Sequence, residues 1–180
     1  MDFSVVERAL EEGAQRGVFP GAVLLVSRNG ETLFERAVGS RSLEPERMPM
    51  RSDVVFDLSS LTKPLATTLA VMMLVREMRL SLDDRVTRFF HNFGVHGKTH
   101  VTFRHLLTHT SGLAAHRPYF KDVAALEKRG RPNFVASREA KEWVFEQVHR
   151  ERLEAAPGTR AVYSDLGFMV LGQVVETVSG

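Results

Sequence analysis

Ser60 and Lys63 stand three residues apart at the head of a run, Leu65 to Val75, that contains no charged residue. A hydroxyl with an amine one helical turn away is a nucleophile beside a base. Burial against an apolar helix disfavours the ammonium, so the run predicts a Lys63 pKa drawn down toward neutrality, where the amine accepts a proton. Pro64 is tolerated only in a first turn, which sets Ser60 at the positive end of the helix and predicts an irregular start. The Ser60 backbone N–H is then available to a developing oxyanion. Alone, S-x-x-K is a common pattern, with roughly one chance match in a chain of this size. Its plain reading is a helix-capping serine followed by a surface lysine.

Tyr163 is one of only two tyrosines. A phenol near a buried ammonium has a lowered pKa, and a phenol–lysine pair can relay the serine proton to a leaving group. The plain alternative is a core ring with a bonded hydroxyl. His91, His96 and His100 lack both one-turn helical spacing and a neighbouring carboxylate, so no metal site is expected. No cofactor is expected either.

The 180 residues are 43% hydrophobic and 26% charged, the composition of a soluble globular domain. A formal charge of +2 argues against nucleic acid or a membrane surface as partner and leaves a small-molecule substrate. The absence of cysteine excludes disulfides, thiolate metal sites and a cysteine nucleophile. The first residues carry acids early and form no long apolar run, so neither a signal peptide nor a membrane span is expected, and the expected compartment is the cytoplasm.

The elements that would hold these residues follow from periodicity. Phe3, Val6, Leu10 and Ala14 share a helical face over residues 2–16. Two β-rich runs, 21–27 and 32–38, flank Asn29-Gly30, a hairpin turn signal. The unbroken apolar run Ala22 to Val26 predicts a strand covered on both faces. Residues 39–54 read as a polar surface connection. The serine helix, apolar on nearly every side, is expected to be buried and to end near Met78 or Arg79. Ser81 is expected to cap a short helix running to Phe90, Thr102 one over 103–108, and Ser137 an amphipathic helix. Residues 114–136 read as irregular. A last apolar helix starts near Ser164 or Asp165, and its Gly167 and Gly172 predict close approach of a neighbour.

Ser60-Leu61-Thr62-Lys63, Leu106 to Leu113 (LLTHTSGL) and Tyr163-Ser164-Asp165, with Phe19-Pro20-Gly21-Ala22 before the first strand, occur in a fixed order. Together they resemble the serine β-lactamase and penicillin-binding-protein superfamily, nearest its class C β-lactamase and family VIII esterase branch. The resemblance implies an α/β fold, an antiparallel sheet flanked by helices plus a helical subdomain. It assigns residues 1–58 to the α/β part and 59–180 to the serine helix and helical subdomain. It makes Ser60 the acylated nucleophile, Lys63 its partner base and Tyr163 a second base, and it leaves open which of the two takes the serine proton. His109 is expected to hold a turn. Asp165 falls at the substrate-binding position where the family commonly has Asn, and a carboxylate only accepts hydrogen bonds.

The family's closing Lys/His-Ser/Thr-Gly strand is not found after Tyr163, and family domains are roughly twice this length, so the chain reads as an N-terminal half. The expected activity is hydrolysis of short-chain esters through an acyl-enzyme. A β-lactam or D-amino peptide is the second choice, and a non-catalytic binding or assembly module is the alternative of another class.

Overall fold

An amphipathic stretch with Phe3 at its N-cap forms α1, Ser4–Gln15, and Phe3 stacks on Phe34 at 4.9 Å between ring centroids. Asn29 and Gly30 both take positive φ, 53° and 83°, the paired left-handed geometry of a tight hairpin turn. They join antiparallel β1, Gly21–Arg28, to β2, Glu31–Ser42. β2 runs further than periodicity indicates and pairs with a two-residue β3, Met48–Pro49, so the expected surface connection carries a third strand. Arg36 on β2 is bound by Glu7 and Glu11 of α1 at 2.8 and 2.9 Å. β1 is only partly covered and Leu25 is exposed, against the expectation of burial on both faces. Among residues 2–57 α1 is the one helix, and one helical layer covers only one face of a sheet.

The computed structural model describes residues 2–180. They form two compact units, one ending at Asp57 and one from Leu58 to Gly180. The first contains the elements above.

The second unit is helical. A tight turn at Ser59–Leu61 leads into a widened π-helical stretch, Lys63–Thr68, and then α2, Leu69–Arg76. The widened coil absorbs the missing N–H and the ring of Pro64, which is the irregular start the proline demands. Only Val71 and Leu74 of α2 are buried; Leu65, Leu69, Met72 and Met73 are about half exposed. The expected full burial is thus not met. α2 packs against α6, Asp165–Ser179.

No regular helix follows Ser81. Ser81 and Asp84 exchange local hydrogen bonds with the backbone of this turn, and a single short turn, Val86–Arg88, takes the helix's place. Thr102 caps α3, Phe103–Leu107, and His105 completes a capping box. The stretch expected to be irregular contains α4, Tyr119–Lys128. Ser137 caps α5, Arg138–Arg150, by accepting from the Ala140 N–H at 3.0 Å.

Phe93, Val101, Phe103, Leu106, Val148 and Val170, all fully buried, are the centre of the core. A Cβ at Gly167 would be in ordinary contact with Leu106 and one at Gly172 would meet nothing within 4 Å, so the close approach expected at the two glycines is found at neither. No helix of the described residues is long and apolar enough to cross a membrane.

Candidate active site

Ser60 sits in the turn at the head of the serine helix, preceded by Ser59 with φ +45°. A non-glycine residue in the left-handed region costs roughly 1–2 kcal/mol, so the nucleophile candidate follows a strained link. Lys63, one turn on, is largely buried. Its Nζ donates to Ser60 Oγ at 3.3 Å and to Asp165 Oδ1 at 2.7 Å. The same Nζ lies 4.9 Å from the centre of the Tyr163 ring. The structure therefore brings together Ser60, Lys63, Tyr163 and Asp165, from two ends of the unit.

The Leu106–Leu113 segment explains how. From His109 onward the chain runs beside residues 154–165, linked by backbone bonds: Val162 N–H to His109 O at 2.9 Å, Gly158 N–H to Thr110 O at 2.7 Å and Asp165 N–H to Ala115 O at 2.8 Å. His109, with φ +58°, accepts the Ser164 N–H on Nδ1 at 3.0 Å. Its ring contacts those of Tyr163 and Phe168, with centroids 4.6 and 5.1 Å away. Burial, then the charge of Lys63, holds its pKa below the ordinary value. A neutral imidazole accepting on Nδ1 carries its proton on Nε2. His109 thus holds a turn and also fixes the Tyr163 ring.

The electrostatics differ from the sequence expectation at one point. Burial does push the Lys63 ammonium toward deprotonation, and it is the largest single effect. The combined hydrogen bonds and charges of Asp165 and Tyr163 outweigh it, and the net pKa is raised, not lowered. Asp165 is held below its ordinary value, chiefly by Lys63. Tyr163 is half exposed. Hydrogen bonding to Ser60, then to Lys63, draws its phenol below 10.0. The arrangement is a hydroxyl touched by a fixed ammonium and flanked by an acidified phenol.

Sequence reasoning missed His116, whose Nδ1 lies 3.4 Å from Asp165 Oδ2. No local pattern announces it, because the contact depends on how residues 109–116 lie along the start of α6. The site opens into a cleft of about 600 Å³, where Leu58, Leu61, Leu107 and Phe168 surround Ser60, Lys63, His109 and Tyr163. Among the described residues no group of three metal-ligating side chains converges.

A fold with this ordering of motifs is that of the β-lactamase family, and the chain belongs to it: the family pattern matches residues 6–180. Over 168 residues it is 38% identical to esterase EstB of Burkholderia gladioli, covering 89% of this chain and 41% of that protein. The octameric penicillin-binding protein homologue of Pyrococcus abyssi superposes with a TM-score of 0.75 at 31% identity, over 100% of this chain and 40% of that one. EstCE1, described as a hydrolase with promiscuous acyltransferase activity, superposes with a TM-score of 0.71 at 29% identity, over 97% and 46%. The chain thus spans about two fifths of the length of the curated relative and less than half of either structure.

Proposed function

We propose that the protein is a serine hydrolase that forms an acyl-enzyme on Ser60, and that its activity is that of a carboxylesterase on short-chain esters. The observation that carries this reading is the contact of Lys63 Nζ with Ser60 Oγ at 3.3 Å while Asp165 holds the same ammonium at 2.7 Å. A lysine fixed in its charged form does not serve as the resting base. Its charge instead favours the phenolate of Tyr163, which takes the base role.

In the first half-reaction Ser60 Oγ bonds the ester carbonyl carbon as its proton passes to the Tyr163 phenolate. The carbonyl oxygen becomes an oxyanion, for which the Ser60 N–H is the nearby donor. Collapse breaks the bond to the alkoxide, and Tyr163 returns the proton to that oxygen. In the second half-reaction water gives a proton to Tyr163 and attacks the acyl carbon. Ser60 then leaves and regains the proton. Lys63 stays charged through both halves and steadies the phenolate and the serine oxygen.

The similarity to esterase EstB, and to EstCE1, a hydrolase with acyltransferase activity, supports an ester as substrate. So does Asp165: engaged by Lys63 and only an acceptor, it lacks the N–H groups with which a carboxamide would hold a substrate carbonyl.

The test is mass spectrometry of the natural full-length protein after exposure to a p-nitrophenyl phosphonate ester, with Ser60→Ala in parallel and p-nitrophenyl acetate as substrate. An adduct and turnover that both require Ser60 are expected. Ligand binding with neither adduct nor turnover assigns the protein to the non-catalytic modules. Faster turnover of a chromogenic cephalosporin than of any ester assigns it to the lactamases.

A further inference from the structure

His109 has a second ring nitrogen that holding the turn does not use. Its Nδ1 accepts the Ser164 N–H at 3.0 Å, a contact open only to a neutral imidazole that carries its proton on Nε2. The two ring nitrogens point in widely different directions, so binding Nδ1 to Ser164 turns Nε2–H away from the start of α6. Among the described residues none accepts a hydrogen bond from Nε2. His109 nevertheless lines the same cleft as Ser60, Lys63 and Tyr163.

The ring is held in place by the rings of Tyr163 and Phe168. Those same two rings face Lys63, whose Nζ lies 4.9 and 5.9 Å from their centres. The donor thus sits one ring away from the groups that move the serine proton. Leu107 and Phe168 beside it are apolar. A hydrocarbon group filling this part of the cleft displaces water from Nε2–H and leaves it unpaired, whereas an oxygen at the same point pairs with it. Such a site discriminates against an analogue lacking the partner atom more strongly than an apolar pocket discriminates by size.

The alcohol side of the ester is the part that reaches this donor. Tyr163 returns the proton to the departing oxygen, and its ring packs against His109 at 4.6 Å. A group that continues from that oxygen past Tyr163 arrives at His109. The nearby Lys63 ammonium is already engaged by Asp165, so the hydrogen bond on offer is that of a neutral N–H and suits a neutral oxygen. We propose that His109 Nε2–H is a substrate-binding donor that selects esters whose alcohol part carries an ether oxygen a short distance beyond the scissile bond. This rests on the serine-esterase reading.

The experiment compares kcat/KM of the full-length protein on the acetates of 2-methoxyethanol and butan-1-ol, which have chains of equal length. Each value is divided by the rate constant for hydroxide hydrolysis, which removes the difference in leaving-group acidity. The corrected ratio is expected to favour the methoxyethyl ester about tenfold. It is expected to fall toward unity in His109→Asn, because asparagine tolerates the left-handed backbone and can accept the Ser164 N–H but is too short to place a donor at the Nε2 position. A native ratio near unity alongside measurable turnover of butyl acetate overturns the proposal and leaves the esterase intact. So does an equal preference in the native protein and His109→Asn.

If His109→Asn does not fold, the native protein decides. Protein labelled with nitrogen-15 in histidine is treated with 2-methoxyethyl or butyl p-nitrophenyl methylphosphonate; Ser60 Oγ bonds phosphorus as p-nitrophenolate leaves, and the alkoxy group stays in the site. The His109 Nε2–H resonance, located by its proximity to the Tyr163 and Phe168 ring protons, is expected to move downfield in the methoxyethyl adduct relative to the butyl adduct. Identical resonances in the two adducts overturn the proposal. Absence of both turnover and a Ser60 adduct removes the esterase reading, and this proposal with it.

Discussion

Lys63 Nζ and Asp165 Oδ1, carried by residues 102 positions apart, meet at 2.7 Å. The contact ties the first turn of the serine helix to the first residue of α6 and holds the ammonium charged. Lys63 has a folded pKa above 10.5, so its stabilising share is complete below that value and is lost as pH rises through the raised pKa. Asp165 has a folded pKa below 3.8, so its share is present above 3.8 and is lost as pH falls through the lowered pKa. Between those limits both partners are charged.

Asp165→Asn is expected to move both limbs of the kcat/KM pH profile to lower pH. The Asp165 carboxylate raises the pKa of Lys63 and, by its charge, that of Tyr163, so removing it lowers both. Asp165 is 42% exposed, so the loss of fold stability should stay within about 1 kcal/mol. A pH–rate profile that does not move would show that neither group controls the rate.

Tyr163→Phe is expected to lower kcat by a factor of about 10²–10⁴ and to abolish the rising limb of the profile below pH 10. Phe keeps the ring packed against His109, so the melting temperature should change little. A variant that retains the rising limb would return the base role to another group.

Gly112→Ala is expected to destabilise the protein by about 3 kcal/mol or more in urea titration. Gly112 has φ +81°, and a Cβ there would lie 2.0 Å from the Ala155 carbonyl oxygen. Gly97 has φ +84° and open space around it, so Gly97→Ala should cost only the backbone part, roughly 1–2 kcal/mol. Equal losses at the two positions would mean that the strand-like run beside residues 154–165 is not what the glycine protects.

Lys98 is fully buried, with its Nζ donating to the carbonyl oxygens of Val95 and Glu151, and burial lowers its pKa to about 8. Between pH 8 and 10.5 the unfolded chain holds this proton more tightly than the native one, so stability attributable to Lys98 rises with pH across that window. Urea midpoints at pH 8 and 10 should therefore diverge between the native protein and Lys98→Met, with only the native protein gaining this increment. Parallel midpoints would contradict it.

Much of the fold was legible because its signals are local. The Asn29-Gly30 turn, the Thr102 and Ser137 caps and the start of the last helix at Ser164 depend on residues within a turn of one another. The order of Ser60-x-x-Lys63, the His109 segment and Tyr163 was enough to point to the β-lactamase family, to which the chain belongs. α4 was missed because residues 114–136 are interrupted by prolines and charges, and its single buried residue, Val123, leaves almost no periodic stripe. The exposed sides of α2 were misjudged because an apolar run shows what a helix can bury, not what is present to cover it.

The sequence by itself determined which residues could do chemistry, since nucleophile, amine and phenol are residue types placed at recognisable intervals. The charge state of Lys63 was decided only by the tertiary structure. Burial alone would have lowered its pKa, and the sign turned on a carboxylate delivered from 102 residues away. Electrostatic interaction depends on distance through space, which no spacing along the chain records.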